Sequence, residues 1–296
     1  VAFLFPFFGL GKVEASAGDR ALALATPTLE HLDDPEAAVT FVAGGKQTRG
    51  ALPVRTARLD GALYSSRGRG YARYNEDGAA LFADEAGELY AAVFDQAGGL
   101  GGVVRGAGSG VAARHAARAF RRLATGAGTE DIPKTLVEDA IMGAHRELVG
   151  RQEGEVTTAV LAVTRGDTVH LMNSGDSAAF HFDARGRHLG QTRQHEHPTP
   201  YGIGALTHAV GLEPEGPNAE AYAWTLSPGH WVLMASDGLL DSGLGPDEWG
   251  QTLVSAAHAE AGVNELVQRV LRRMTLMQAK PDNLTVVAFR QQAVAP

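Results

Sequence analysis

Hydrophobic positions in this chain gather into short unbroken runs, and acidic residues stand at their ends. Residues 89–94 (LYAAVF) close on Asp95, while residues 231–235 (WVLMA) and 284–289 (LTVVAF) lie beside Asp237 and Asp282. Runs of this length, rich in β-branched and aromatic side chains, predict strands buried on both faces. Residues 156–164 and 168–173 form two more, joined by Arg165-Gly166-Asp167, a turn signal that predicts an antiparallel hairpin. Residues 178–182 follow, before the turn-like Asp183-Ala184-Arg185-Gly186.

Helical spacing is found between these runs. Leu136, Val137, Ala140, Ile141, Ala144 and Leu148 mark one apolar face, and Val263, Leu266, Val267, Val270, Leu271 and Met274 mark another. Further helices are predicted over residues 110–123 and 246–258. Hairpins with amphipathic helices outside them predict an α+β layered architecture of antiparallel sheets flanked by helices, and not a doubly wound parallel sheet. Residues 12–61 carry no sustained period and hold Pro27, Pro35, Pro53 and Gly44-Gly45, so residues 1–61 read as a poorly patterned lead-in with one or two strands. The patterned domain is expected over residues 62–296. The apolar opening VAFLFPFFGL is broken by Pro6 and is shorter than the roughly 20 residues that cross a bilayer, so it reads as a buried edge segment or a trimmed remnant.

Composition narrows the chemistry. The 296 residues are 44% hydrophobic and 20% charged, an ordinary globular balance, and without cysteine they have no disulfide, thiolate metal site or cysteine nucleophile. A net charge of −8 disfavours a nucleic-acid groove, which needs a basic surface. The phosphate-loop, dinucleotide and zincin motifs GxxxxGK[ST], GxGxxG and HExxH do not occur. Glu76, Asp77, Asp95, Asp176, Asp237, Asp241 and Asp282, all at strand ends or turns, account for nearly all of the excess acid. Singly, each is an ordinary turn or capping residue. Gathered at one rim they would repel one another unless cations neutralised them, and all-oxygen ligands select hard ions such as Mg²⁺ or Mn²⁺.

Asn75-Glu76-Asp77, Val93-Phe94-Asp95-Gln96-Ala97-Gly98-Gly99, Thr157-Thr158, Gly175-Asp176-Ser177, Leu206-Thr207-His208-Ala209-Val210-Gly211, Ser236-Asp237-Gly238-Leu239-Leu240-Asp241 and Asp282-Asn283-Leu284-Thr285 occur in an order that resembles the metal-dependent protein phosphatases of the PPM, or PP2C, family. The likeness covers about residues 62–291. It implies an αββα sandwich with a binuclear Mn²⁺ or Mg²⁺ centre. By the same resemblance Asp95 bridges both ions, Asp237 and Asp282 are ligands of one, and Glu76 and Asp77 hold metal-bound waters. Asp176, Asp237 and Asp241 resemble a weaker third-metal site.

The chain departs from the family pattern in three places. Gln96 stands where the family has a glycine that gives a backbone carbonyl to a metal, and Ala97 replaces a frequent His or Met. The phosphate-binding arginine is displaced: its usual place is Ala72 and Arg73 follows one residue late, with Arg67 and Arg69 as substitutes. Ala178 replaces the arginine that usually follows Gly-Asp-Ser. His195-Glu196-His197 with His208 reads as a mobile loop in preference to a second metal site, and Ser177 lacks the context of a hydrolase nucleophile. The resemblance implies a protein serine/threonine phosphatase of a bacterial cytoplasm, acting on phosphoproteins and opposing a kinase, with neither nucleic acid nor membrane insertion. A non-catalytic relative that binds phosphoproteins or regulates is the alternative, and Gln96 and Arg73 discriminate the two.

Overall fold

The structure is a computed structural model that describes residues 39–42, 47–69, 74–97, 107–126, 131–198 and 204–292. Arg73, Ala72, Gly98 and Gly99 lie outside the described residues.

Two six-stranded antiparallel sheets form the centre. In chain order the strands are β1 (Val39–Val42), β2 (Leu52–Arg55), β3 (Leu59–Ser66), β4 (Gly78–Ala83), β5 (Leu89–Phe94), β6 (Ala159–Arg165), β7 (Thr168–Ser174), β8 (Ala178–Phe182), β9 (His188–Gln191), β10 (Glu196–Pro198), β11 (Gly204–Leu206), β12 (Glu220–Thr225), β13 (Trp231–Ala235) and β14 (Leu284–Gln291). One sheet runs β1-β4-β5-β6-β7-β12, the other β2-β3-β14-β13-β8-β9, and β10 and β11 pair separately. The hairpin expected at Arg165-Gly166-Asp167 is β6–β7, with Arg165 opposite Thr168.

Three apolar layers explain the unbroken runs. Leu89, Ala91 and Val93 of β5 face the other sheet and meet Leu63, Val232, Met234 and Phe289. Tyr90, Ala92 and Phe94 point outward, against α1 (Ala107–Thr125) and a second helical stretch. That stretch runs from α2 (Ile132–Thr135) through a π-helical segment (Leu136–Ile141) into α3 (Met142–Arg151). On the far side Phe180, Trp231, Leu233 and Val286 pack against α5 (Pro246–Val254) and α6 (Ala259–Thr275). A short α4 (Asp237–Leu240) follows β13 directly. With both faces of each sheet covered, residues of either parity are apolar, so period-2 alternation disappears.

The sheets begin upstream of the boundary expected at residue 62. β1 pairs with β4, and β2 with β3, so residues 39–61 supply strands to both sheets. β2 is short and mostly exposed along an edge, which leaves it almost no pattern to read.

Candidate metal centre

The predicted acids come from loops at neighbouring strand ends. Asp77 precedes β4, Asp95 ends β5, Asp176 lies between β7 and β8, Asp237 opens α4 and Asp282 precedes β14. Asp77 is fully buried and accepts a hydrogen bond from Ser236 Oγ at 2.8 Å. The backbone N–H of Asp237 points to Asp95 Oδ2 at 3.4 Å.

Their electrostatics show convergence. Burial, then the charges of Asp237 and Asp282, push Asp77 up to about 8 despite opposing hydroxyl hydrogen bonds. Asp95 lies well above the carboxylate range through burial and the charges of Asp237, Asp77, Asp176 and Asp282. Burial and Asp237 push Asp176 up to about 7, and burial with Asp282 raises Asp237. Five of the seven predicted acids therefore meet at Asp95, on which the charges of the other four act. Asp241 joins them through Lys280, while Glu76, beside Asp77, is held by its backbone N–H.

The frame around the acids is made of short polar links. Thr158 Oγ1 accepts from the Asp95 N–H at 3.0 Å and lies 2.7 Å from Ser177 Oγ, and Thr157 Oγ1 donates to the Asp95 carbonyl at 3.0 Å. Asn283 Oδ1 accepts from the Glu76 N–H at 2.7 Å, and its Nδ2 donates to the Tyr74 carbonyl at 2.7 Å. Two glycines are sterically required. A Cβ on Gly238 would lie 1.8 Å from the Asn283 carbonyl oxygen, and one on Gly175, at φ +109°, would lie 2.6 Å from Thr158.

The Gln96 side chain has a contact of its own. Its Oε1 accepts the N–H of Gly108 at 2.8 Å, satisfying a donor in the first turn of α1. Among the described non-glycine residues only Gln152, Asn218 and Met277 have positive φ, so Gln96 meets its backbone without strain. The described residues of the histidine stretch make defined contacts. His195 is buried, its Nδ1 accepts from the Gly175 N–H at 3.2 Å, and Glu196–Pro198 pairs with Gly204–Leu206. These links tie it to the Asp176 turn.

Sequence reasoning passed over Lys280. Its Nζ lies 2.8 Å from Asp237 Oδ2, 2.8 Å from Asp282 Oδ2 and 3.4 Å from Asp241 Oδ2. Partial burial disfavours its charge, but Asp237 and Asp282 outweigh this and hold the ammonium protonated beyond its ordinary range. A lone lysine in a turn has no period to betray it; only its place two residues before Asp282 was a signal. Among the described residues, no three His, Asp or Glu side chains close around one point as metal ligands. The donor set nevertheless fits a hard divalent ion, since it is all oxygen, largely buried and mutually repelling.

Solved structures share this fold. A structure described as PppA, a key regulatory component of T6SS in Pseudomonas aeruginosa, is 24% identical, covering 79% of this chain and 97% of that chain at a TM-score of 0.62. The Mycobacterium tuberculosis serine/threonine phosphatase PstP/Ppp is 22% identical, covering 80% of this chain and 100% of that chain, also at 0.62. Its catalytic domain in complex with two manganese ions matches at 22% identity and a TM-score of 0.61, covering 80% and 99% of the two chains. No curated protein matches the sequence. The family model described as Stage II sporulation protein E (SpoIIE) matches residues 102–292, a span that contains Asp176, Asp237, Asp241 and Asp282 and begins after Asp95. Such a match over more than half of the sequence, on the αββα sandwich of the PPM phosphatases, means that the chain belongs to the SpoIIE family.

Proposed function

We propose that this chain is a metal-dependent protein serine/threonine phosphatase that hydrolyses phosphomonoesters with Mn²⁺ or Mg²⁺. Its main support is the convergence of Asp77, Asp95, Asp176, Asp237 and Asp282 from five separate loops onto one electrostatic site. Bound divalent ions would supply a water acidified to near neutrality and neutralise phosphoryl charge.

The chain's own residues divide the remaining work. Asp95, Asp237 and Asp282, with the Gln96 carbonyl, would hold two ions, and Asp176, Asp237 and Asp241 a weaker third. Glu76 and Asp77 would orient water. Asp77, pushed up to about 8, can carry a proton at Oδ1 near neutral pH while Oδ2 keeps the Ser236 hydrogen bond. Arg73 would bind the substrate phosphate by its guanidinium. A phosphoprotein in a bacterial cytoplasm, opposite a serine/threonine kinase, is the proposed setting. No helix among the described residues is long and apolar enough to cross a membrane.

One observation favours a second reading, a weakened or inactive module that binds phosphoproteins: Lys280 already engages three of the acids. Hydrolysis of a small aryl phosphate separates the two. An enzyme turns it over in Mn²⁺ and stops on chelation, and Asp95→Asn or Asp282→Asn each costs roughly 10²-fold or more. Turnover that persists unchanged in excess chelator would end the metal mechanism. Binding of a phosphoprotein without turnover at saturating Mn²⁺ would leave the binding module.

A further inference from the structure

At the rim of the carboxylate cluster the chain supplies a cation of its own. One ammonium, Lys280 Nζ, reaches Asp237 at the start of α4, Asp241 just after it and Asp282 before β14. The two nearer carboxylates have little freedom to leave it: the Asp237 and Asp282 side chains are 25% and 24% exposed, and Gly238 is wedged against the Asn283 carbonyl. The lysine side chain is 52% exposed and carries a flexible four-carbon stem, so it is the partner able to move. Pro281 restricts Lys280 to extended backbone, which fixes where that stem starts.

An ammonium and a divalent ion make the same demand on these oxygens. The ammonium donates hydrogen bonds to Asp237 Oδ2 and Asp282 Oδ2 at 2.8 Å, whereas Mn²⁺ or Mg²⁺ would take carboxylate oxygen at about 2.0–2.2 Å with twice the charge. Both cannot occupy one pair of oxygens, because the two cations would stand closer than their repulsion allows. Resting on the metal reading above, we propose that Lys280 is a resident cation that competes directly with divalent ions for Asp237 and Asp282, so that loading this side of the centre displaces its side chain into water. The metal-free cluster is thereby kept assembled at the cost of weaker metal binding. Asp77 and Asp95, which Lys280 does not bridge, hold the part of the centre that the competition leaves alone.

Two measurements on the intact chain test this. In calorimetric titration with Mn²⁺, Lys280→Met should bind at one class of site at least tenfold more tightly than wild type, and Lys280→Gln should behave alike should the methionine variant fold poorly. Lys280→Arg should stay within threefold of wild type, and so should Arg272→Met, which removes the same charge from the exposed end of α6. The second measurement needs no variant. Acetylation of the wild-type protein, followed by mass spectrometry, should show Lys280 labelled several-fold faster with saturating Mn²⁺ than with chelator, with exposed Lys134 as the internal reference. Mn²⁺ bound equally by wild type and Lys280→Met, or a Lys280 labelling rate unmoved by bound Mn²⁺, would overturn the competition alone. Mn²⁺ bound by neither protein would overturn it together with the metal reading.

Discussion

Asn283 holds Glu76 across 207 residues of sequence, accepting its backbone N–H at 2.7 Å while donating to the Tyr74 carbonyl. One amide thus clamps the Asn75-Glu76-Asp77 segment to the turn that carries Asp282 into β14. Replacing it with an apolar side chain of similar size removes both of these hydrogen bonds. Asn283→Leu should therefore lower unfolding stability by roughly 2–4 kcal/mol and weaken Mn²⁺ binding, as read by urea denaturation and metal titration. Unchanged stability would show that water replaces the clamp.

Gln96 is expected to matter for stability more than for metal geometry. Gln96→Ala removes the acceptor for the Gly108 N–H and should cost about 1 kcal/mol in thermal or denaturant unfolding. Because Gln96 lies outside the positive-φ region, Gln96→Gly should lose the same contact and gain no Mn²⁺ affinity. A glycine variant that binds Mn²⁺ more tightly would show instead that Gln96 holds the backbone carbonyl away from a metal.

Acid repulsion gives the metal-free protein a definite pH response. Asp77 and Asp176 titrate at about 8 and about 7 when folded, against 3.8 unfolded, so between these values the native state binds more protons. Stability is then greatest below the unfolded value and falls as pH rises through the folded ones. In chelator the melting temperature should be lower at pH 8 than at pH 5.5. Saturating Mn²⁺ should reverse that order, since it binds the deprotonated carboxylates. A melting temperature independent of both pH and Mn²⁺ would dissolve the cluster into separate turn residues.

The opposite sign is expected in the second sheet at β8, next to the edge strand β9. His181, stacked on Trp224 and 3.0 Å from His230, is pushed down to about 4 by burial and by His230. An imidazole with a depressed folded pKa contributes stability above its unfolded value of 6.5 and loses it as pH falls toward 4. The stability difference between wild type and His181→Asn should shrink by about 2 kcal/mol from pH 7.5 to pH 5 in urea titrations. A difference that stays constant would place the protonated imidazole in water.

How much of this was legible depends on burial. β5 and β13 were read to the residue because both faces are covered and every position is apolar, and β8 because it is buried throughout and apolar but for His181. β2, β9 and β12 went unread: their residues alternate between exposed and half-buried or are short, and polar neighbours blur the pattern. The helix expected over Leu136–Leu148 is present, yet its π-helical segment leaves no mark, since apolar spacing hardly changes with one extra residue in a turn. Asp77, Asp95, Asp176, Asp237 and Asp282, each ordinary alone, stood out together because acids recur beside apolar runs in one order along the chain. Gln96 and Lys280 act through their side-chain ends, and their direction is set by contacts distant in sequence.

β14 gives the fold an order of assembly. It lies between β3 and β13, with Leu284 opposite Ser66, and it follows every other described strand in the chain. During synthesis the second sheet must therefore wait, its middle open, until the last strand emerges from the ribosome. Pairings this distant form slowly, and the exposed edges of β3 and β13 are open to wrong partners meanwhile. Because Asp282 arrives with that strand, an unfinished chain has no complete acid centre with which to capture a metal ion or a phosphate.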